Sequence, residues 1–177
     1  MNRPASVVAF DLETCKLASD LPGGWKDLKA GKGGISCLVA WSSTSGRPHI
    51  FDAHTLSDAA TLLESADVIL SFNGISFDIP VLEGVLGRRL HLSNHLDLLA
   101  IIWKALDVTG EPHRGNRLTE LADRCLGMAK SGDGALAPAL MRDGRWGELM
   151  DYCLHDVHIT RSLFPCPTGF RRSPCNG

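Results

Sequence analysis

Short apolar segments alternate with helical patterns along this chain, and their order predicts one mixed α/β sheet. Residues 5–10 (ASVVAF) form a β-branched, apolar run typical of a buried strand that ends at Asp11. Two later runs, separated by the turn-rich sequence SSTSGR, have the pattern of a hairpin. The predicted strands are residues 5–10, 35–42, 48–51, 67–72 and a short segment near His95. With the helical segments between and after them, they predict an α/β fold with a mixed five-stranded sheet flanked by helices.

Helical periodicity occurs in five segments of the sequence. Ser57 is a candidate N-cap for the first of them, and Pro80 lies near the first turn of the second. The predicted helices are residues 57–66, 77–86, 97–106, 118–126 and 146–164. Residues 16–34 hold five glycines and a proline, which predicts a loop. We expect one domain over residues 1–164 and a flexible C-terminal tail over residues 165–177.

Composition excludes several classes of protein. The chain has 177 residues, 44% of them hydrophobic and 21% charged, which is typical of a globular domain with a core of its own. It has no apolar stretch near the roughly 20 residues that a membrane span needs. Six scattered cysteines without a C-x-x-C pair indicate reduced thiols, so we expect a cytoplasmic protein without membrane contact. The net charge of −2 is unlike the basic excess of most nucleic-acid-binding proteins.

Four carboxylates lie at a strand end, at a helix start or on one face of a predicted helix. Asp11 and Glu13 are two residues apart, so along an extended chain their side chains lie on one face. Asp78 follows a strand and the turn Asn73-Gly74 at the opening of a helix, and Tyr152 and Asp156 are spaced to share a helix face. Such carboxylates suit hard divalent cations, which serve phosphoryl displacement, and the tyrosine hydroxyl would orient the attacking water. The pattern therefore predicts a phosphodiester hydrolase.

Three sequence motifs carry a resemblance to a known family. FDLET, SFNGISFDIPVL and YCLHDVHITRSLF, in that order, resemble the motifs of DEDDy-type 3′-to-5′ exonucleases of the ribonuclease H-like superfamily. The resemblance is strongest to the proofreading exonuclease domain of family B DNA polymerases and spans residues 5–164. It implies a ribonuclease H-like fold, with Asp11, Glu13, Asp78 and Asp156 as ligands of two divalent cations, Mg²⁺ or Mn²⁺. It also implies that Tyr152 positions the water; the subtype with histidine would need it at position 151, where this chain has Asp151.

Four further residues are candidates for substrate binding. The segment His95-Leu96-Asp97 resembles one that carries an extra aspartate in stand-alone members of the group, which implies a supporting role for Asp97. Asn73 could shape the floor of the site or form a plain turn, and Phe77 could stack on a base or belong to the core. Lys130 could approach a phosphate or be solvated. The arginines, Arg117 among them, are expected to be solvated individually, with some lining the path of the strand.

The resemblance and the acidic residues together predict a metal-dependent 3′-to-5′ exonuclease acting on single-stranded DNA or RNA ends, with DNA favoured. DNA repair is one process in which such an enzyme is expected, and the sequence leaves the pathway open. Bound cations would reverse the sign of the local field, which reconciles the acidic chain with a phosphate substrate. An exoribonuclease of the same fold is an alternative, and so is a catalytically idle module that binds nucleic acid or protein. Because 177 residues leave no room for a polymerase palm or thumb, we expect a free-standing nuclease or a subunit with a helicase or polymerase partner.

Overall fold

The computed structural model describes residues 4–106, 116–128 and 136–164 of the chain. Its centre is a five-stranded sheet in the order β3-β2-β1-β4-β5. The strands are β1 (Val7–Thr14), β2 (Ile35–Ser42), β3 (Arg47–Phe51), β4 (Val68–Ser71) and β5 (His95–Asp97). β1 is antiparallel to β2 and parallel to β4, and β5 is parallel to β4. The predicted mixed five-stranded sheet is therefore confirmed.

Helices cover both faces of this sheet. On one face α2 and α3 pack against a core that includes Phe10 of β1, and on the other α6 and α7 pack against a core that includes Ala9. The helices are α1 (Trp25–Lys29), α2 (Leu56–Glu64), α3 (Asp78–Leu86), α4 (Leu98–Leu106), α5 (Leu118–Leu126), α6 (Leu136–Arg142) and α7 (Trp146–Leu163). α5 packs on α7 through a third cluster around Ile159. No helix among the described residues is long and apolar enough to cross a membrane.

Side chains alternate along β1, and this alternation decides on which face of the sheet its carboxylates lie. Phe10 and Leu12 belong to the core beneath α2 and α3. Asp11 and Glu13 lie on the opposite face, with Ala9, and this face is covered by α7. The strand was predicted to end at Asp11, but it continues to Thr14 because β2 pairs with it along its full length. Both carboxylates are consequently held within a central strand.

Three local predictions are corrected by the structure. Residues 16–34 are not a continuous loop: they contain a 3₁₀ helix (Ala18–Asp20) and α1, which buries Leu28 against the rest of the fold. The helix predicted to be capped by Ser57 begins at Leu56, because Asp52 and Thr55 form a hydrogen-bonded turn immediately before it. α6 was not predicted as a helix. The predicted tail, residues 165–177, lies outside the described residues.

Candidate metal centre

Three carboxylates from two elements converge between β1 and α7. Asp11, Glu13 and Asp156 each offer an oxygen, and these oxygens all lie within 4.8 Å of one another. The helix is held against the sheet by Cys153 and Val157, which are fully buried in the intervening core. This packing brings Asp156, three residues beyond Cys153, over the carboxylates of β1. A set of carboxylate oxygens at this spacing fits a hard divalent cation such as Mg²⁺ or Mn²⁺.

The five residues predicted as catalytic line a single cavity of about 420 Å³. Tyr152 and Asp78 complete the set, and both are buried. Of the candidate substrate-binding residues, Asn73 and Phe77 line the same cavity. Lys130 lies outside the described residues. The predicted site residues that the structure describes are thus gathered in one place, with Asp97 as the exception.

Asp78 ties the start of α3 to the central strand. Its Oδ1 accepts a hydrogen bond from the backbone N–H of Leu12 at 3.2 Å. Burial raises the pKa of Asp78 to about 7, and the carboxylates of Asp97 and Asp156 act in the same direction, against the hydrogen bond from Leu12. The charged form of Asp78 is therefore disfavoured unless a cation is close by.

Asp11 experiences the same crowding more strongly. Burial raises its pKa well above the ordinary value, and the carboxylates of Asp78, Glu13 and Asp156 raise it further. The thiol of Cys153 opposes this shift, since its Sγ lies 3.5 Å from Oδ2 of Asp11 and 3.4 Å from the Asp11 carbonyl oxygen. Like charges at this density repel one another, and a bound divalent cation would convert the repulsion into attraction.

Asp97 supports the site from behind and does not line the cavity. Its Oδ1 accepts hydrogen bonds from the backbone N–H groups of Asn73 at 2.8 Å and Leu99 at 3.0 Å. Its Oδ2 accepts one from Ile75 at 2.9 Å. These bonds hold the turn in which Asn73 adopts φ 67°, a left-handed conformation that asparagine tolerates well. Backbone donors contact both oxygens, so Asp97 positions the turn at Asn73, and its supporting role in substrate binding stays a prediction.

Sequence reasoning missed two contributors to the site. Arg117, at the start of α5, lines the cavity and brings a cation to its acidic wall. It was grouped with the solvated arginines because nothing in its local sequence sets it apart. Cys153 was grouped with the scattered reduced thiols, yet its thiol contacts Asp11. Its three-residue spacing from Asp156 was the signal available in the sequence.

We expect Asp78→Asn to stabilise the metal-free protein at pH 8. The folded-state pKa of about 7 lies above the ordinary value of 3.8, so the stability contributed by this group is present below about pH 4 and lost as the pH rises through 7. Asparagine removes the charge and retains an oxygen for the Leu12 N–H. Urea unfolding in EDTA should show a gain on the order of 2 kcal/mol at pH 8.

The gain from Asp78→Asn should disappear near pH 4, where the wild-type carboxyl is protonated. Asp123→Asn, on the exposed face of α5, provides the control for loss of a carboxylate. An equal gain at both pH values, or a gain of the same size in Asp123→Asn, would show that burial of the Asp78 charge is not its cause.

Comparisons with known proteins agree with this architecture. The chain is similar in fold to the family B DNA polymerase from the hyperthermophilic archaeon Pyrobaculum calidifontis, with a TM-score of 0.68 and 20% sequence identity. That match covers 92% of this chain and 24% of the polymerase, so the chain spans about a quarter of the polymerase's length. No curated protein sequence matches it. The family model of the RNase_H superfamily matches residues 44–164, more than half of the sequence, and the chain therefore belongs to that superfamily.

Proposed function

We propose that this protein is a metal-dependent 3′-to-5′ exonuclease that hydrolyses phosphodiester bonds at single-stranded nucleic-acid ends, with DNA favoured. The observation that carries the proposal is the convergence of Asp11, Glu13 and Asp156 within 4.8 Å in a cavity that also holds Tyr152 and Asp78. Membership of a superfamily of nuclease folds supports it. The resemblance of the three motifs to those of DEDDy-type exonucleases supports the direction of cleavage that we propose. We take residues 1–164 as the nuclease domain.

The proposed chemistry gives each group of residues a distinct part. Asp11, Glu13, Asp78 and Asp156 would hold two divalent cations, Mg²⁺ or Mn²⁺. Bound there, these cations would supply Lewis-acid stabilisation of the negative charge that develops on the scissile phosphate. The hydroxyl of Tyr152 would form a hydrogen bond with the attacking water, as donor or as acceptor, and so orient it. Burial of this tyrosine limits its rotation, which favours one orientation of the water.

The walls of the cavity favour an unpaired terminal nucleotide as the substrate. Phe72 and Phe77 line it beside Asn73, and aromatic rings allow a base that is not stacked in a duplex to stack on protein. The volume of about 420 Å³ is in the range of pockets that accept one small ligand. Arg117 would contact a phosphate next to the scissile bond.

The proposal is tested by incubating the protein with 5′-labelled single-stranded DNA and RNA in Mg²⁺, Mn²⁺ or EDTA. A ladder that shortens from the 3′ end in either metal and is absent in EDTA is the expected result, with DNA degraded faster. Faster degradation of RNA would assign the exoribonuclease alternative. Folded protein that binds the oligonucleotides but leaves them intact under every condition would instead identify an idle binding module.

We expect Arg117→Ala to raise the KM for oligonucleotides about 10-fold with a smaller change in kcat. A charge-assisted contact to a phosphate outside the reacting bond contributes to binding in the ground state and in the transition state alike. Steady-state kinetics with Mn²⁺ measure both constants. Arg117→Lys should recover part of the loss, whereas Arg142→Ala, an exposed arginine of α6, should leave KM unchanged. Equal KM values for Arg117→Ala and wild type would remove Arg117 from the substrate path.

A further inference from the structure

A second groove lies on the side of α7 that faces away from the acidic cavity. It has a volume of about 510 Å³ and is bounded by Trp41 of β2 and one face of α7. The residues of α7 that border it include Leu154, His155, His158 and Arg161, at helical spacings of three, four and seven. Tyr152 and Asp156 belong to a different face of the same helix. The groove is therefore separate from the candidate metal centre.

Arg161 lies over the aromatic ring of Trp41, which forms one wall of this groove. Its Cζ is 4.2 Å from the centroid of the Trp41 ring, which is within the range of a cation–π contact. Arg88 and Arg145 form ion pairs with Glu64 and Glu148. Within residues 4–106, 116–128 and 136–164, by contrast, Arg161 has no ion pair with a carboxylate. The charge of its guanidinium is consequently available to an anionic ligand.

Two histidines extend the polar side of the groove. Nε2 of His155 is buried and, among the described parts of the chain, has no hydrogen-bond partner. His158 is exposed and borders the same groove, three residues before Arg161. Because residues three apart on a helix are neighbours, His158 and Arg161 can act on one ligand. Asp151, exposed at the end of the groove, is the acidic residue that borders it.

We propose that this groove binds a nucleotide of a single-stranded nucleic acid upstream of the end held at the metal centre. Arg161 and the exposed His158 would contact its phosphates, and a base would stack on the pair formed by Arg161 and Trp41. An acidic peptide could use the positive charge, but it would stack on this pair only through an aromatic side chain, whereas every nucleotide carries a base, which is why the nucleic acid is favoured. An α-helix with its side chains is about 10–12 Å across, so a strand that passes around α7 places several nucleotides between the cavity and the groove. The inference rests on the proposed function for the identity of the strand.

Binding of fluorescent single-stranded DNA in EDTA tests this inference without hydrolysis. Fluorescence anisotropy is measured with an oligonucleotide of about 12 nucleotides and with a trinucleotide. Arg161→Glu should weaken binding of the longer oligonucleotide at least about 10-fold and leave the trinucleotide, which is too short to reach both sites, unaffected. Arg161→Lys should restore only part of the affinity, since lysine keeps the charge and loses the planar group. The matched charge reversal Arg142→Glu, on α6, should change the affinity less than about twofold.

Hydrolysis of a nitrophenyl ester of thymidine 5′-phosphate in Mn²⁺ separates this inference from the proposed function. Arg161→Glu should retain the wild-type kcat/KM on this small substrate, because it fills only the metal centre. If Arg161→Glu retains hydrolysis and also binds the longer oligonucleotide as well as wild type does, the groove is not a binding site, and the proposed nuclease activity stands. If wild type does not hydrolyse the ester but Arg161→Glu binds the longer oligonucleotide more weakly, the proposed nuclease activity is wrong and nucleic-acid binding in the groove is supported. Arg161-dependent binding of a polyglutamate peptide without such binding of DNA would overturn the nucleic-acid assignment.

Discussion

Asp11→Asn should lower the rate of phosphodiester hydrolysis at least about 1,000-fold. The reason is that Asp11 lies among the other acidic groups: its oxygen is within 4.8 Å of oxygens of Glu13 and Asp156, and the carboxylates of Asp78, Glu13 and Asp156 all raise its pKa. The substitution removes a negatively charged ligand from the proposed metal site, which costs several kcal/mol of transition-state stabilisation. Each loss of about 1.4 kcal/mol lowers the rate about 10-fold. The rate is measured on labelled single-stranded DNA at saturating Mn²⁺.

The same substitution should leave the fold intact. Asparagine has the shape of aspartate, and removal of one charge relieves repulsion among buried carboxylates. Circular dichroism and urea unfolding in EDTA should therefore show a protein at least as stable as wild type at pH 8. Asp156→Asn should behave alike, whereas Asp123→Asn on α5 should retain full activity. Turnover near the wild-type level in purified Asp11→Asn would contradict the assignment of the metal centre.

Gly31→Ala should destabilise the protein by about 2–4 kcal/mol. Gly31 has φ +78°, and a Cβ built on it would lie 2.4 Å from the carbonyl carbon of Gly84 in α3 and 2.4 Å from the nitrogen of Val85. Both contacts are with backbone, so α3 or the segment after α1 must move to accommodate a methyl group. That movement would loosen the packing of α1 on α3, the helix that begins at Asp78.

The matched control for this effect is Gly46→Ala. Gly46 also has a positive φ, +68°, but a Cβ there would meet no atom within 4 Å. It should therefore cost about 1 kcal/mol, the strain of a left-handed alanine alone. Urea unfolding gives the free energy of unfolding of both variants, and the difference between the two is the cost of the close approach at Gly31. Equal destabilisation of the two would show that the contact between the two glycines adds nothing to stability.

The sequence predicted the grouping of the acidic residues better than it predicted the segment between β1 and β2. Asp11 and Glu13 share a face through the two-residue period of a strand, and Tyr152 and Asp156 share one through the helical period, so local geometry was sufficient. In residues 16–34 the five glycines indicated a loop. The helix α1 forms there because Leu28 is buried and because a glycine without a side chain lets α1 approach α3. Both causes are contacts with residues distant in the chain.

Asp97 and Arg117 show why a motif does not fix a role. Both are charged residues that directly precede a helix, and nothing in the adjacent sequence distinguishes their roles. The carboxylate of Asp97 is taken up by backbone donors of the Asn73 turn, which reaches it through the parallel pairing of β4 and β5. Arg117 reaches the cavity because α5 packs on α7. Neither pairing nor packing can be read from the residues beside them.

The sequence by itself determined the mixed sheet, the spacing of the carboxylates and the family resemblance, because strand and helix periods act over a few residues. Only the tertiary structure decided that Asp156 lies over Asp11 and Glu13, since the packing of α7 on β1 joins residues far apart in the chain. It also decided that Arg161 covers Trp41. The pKa values of Asp11 and Asp78 follow from this second class of contact, because burial and neighbouring charges exist only once the chain has folded.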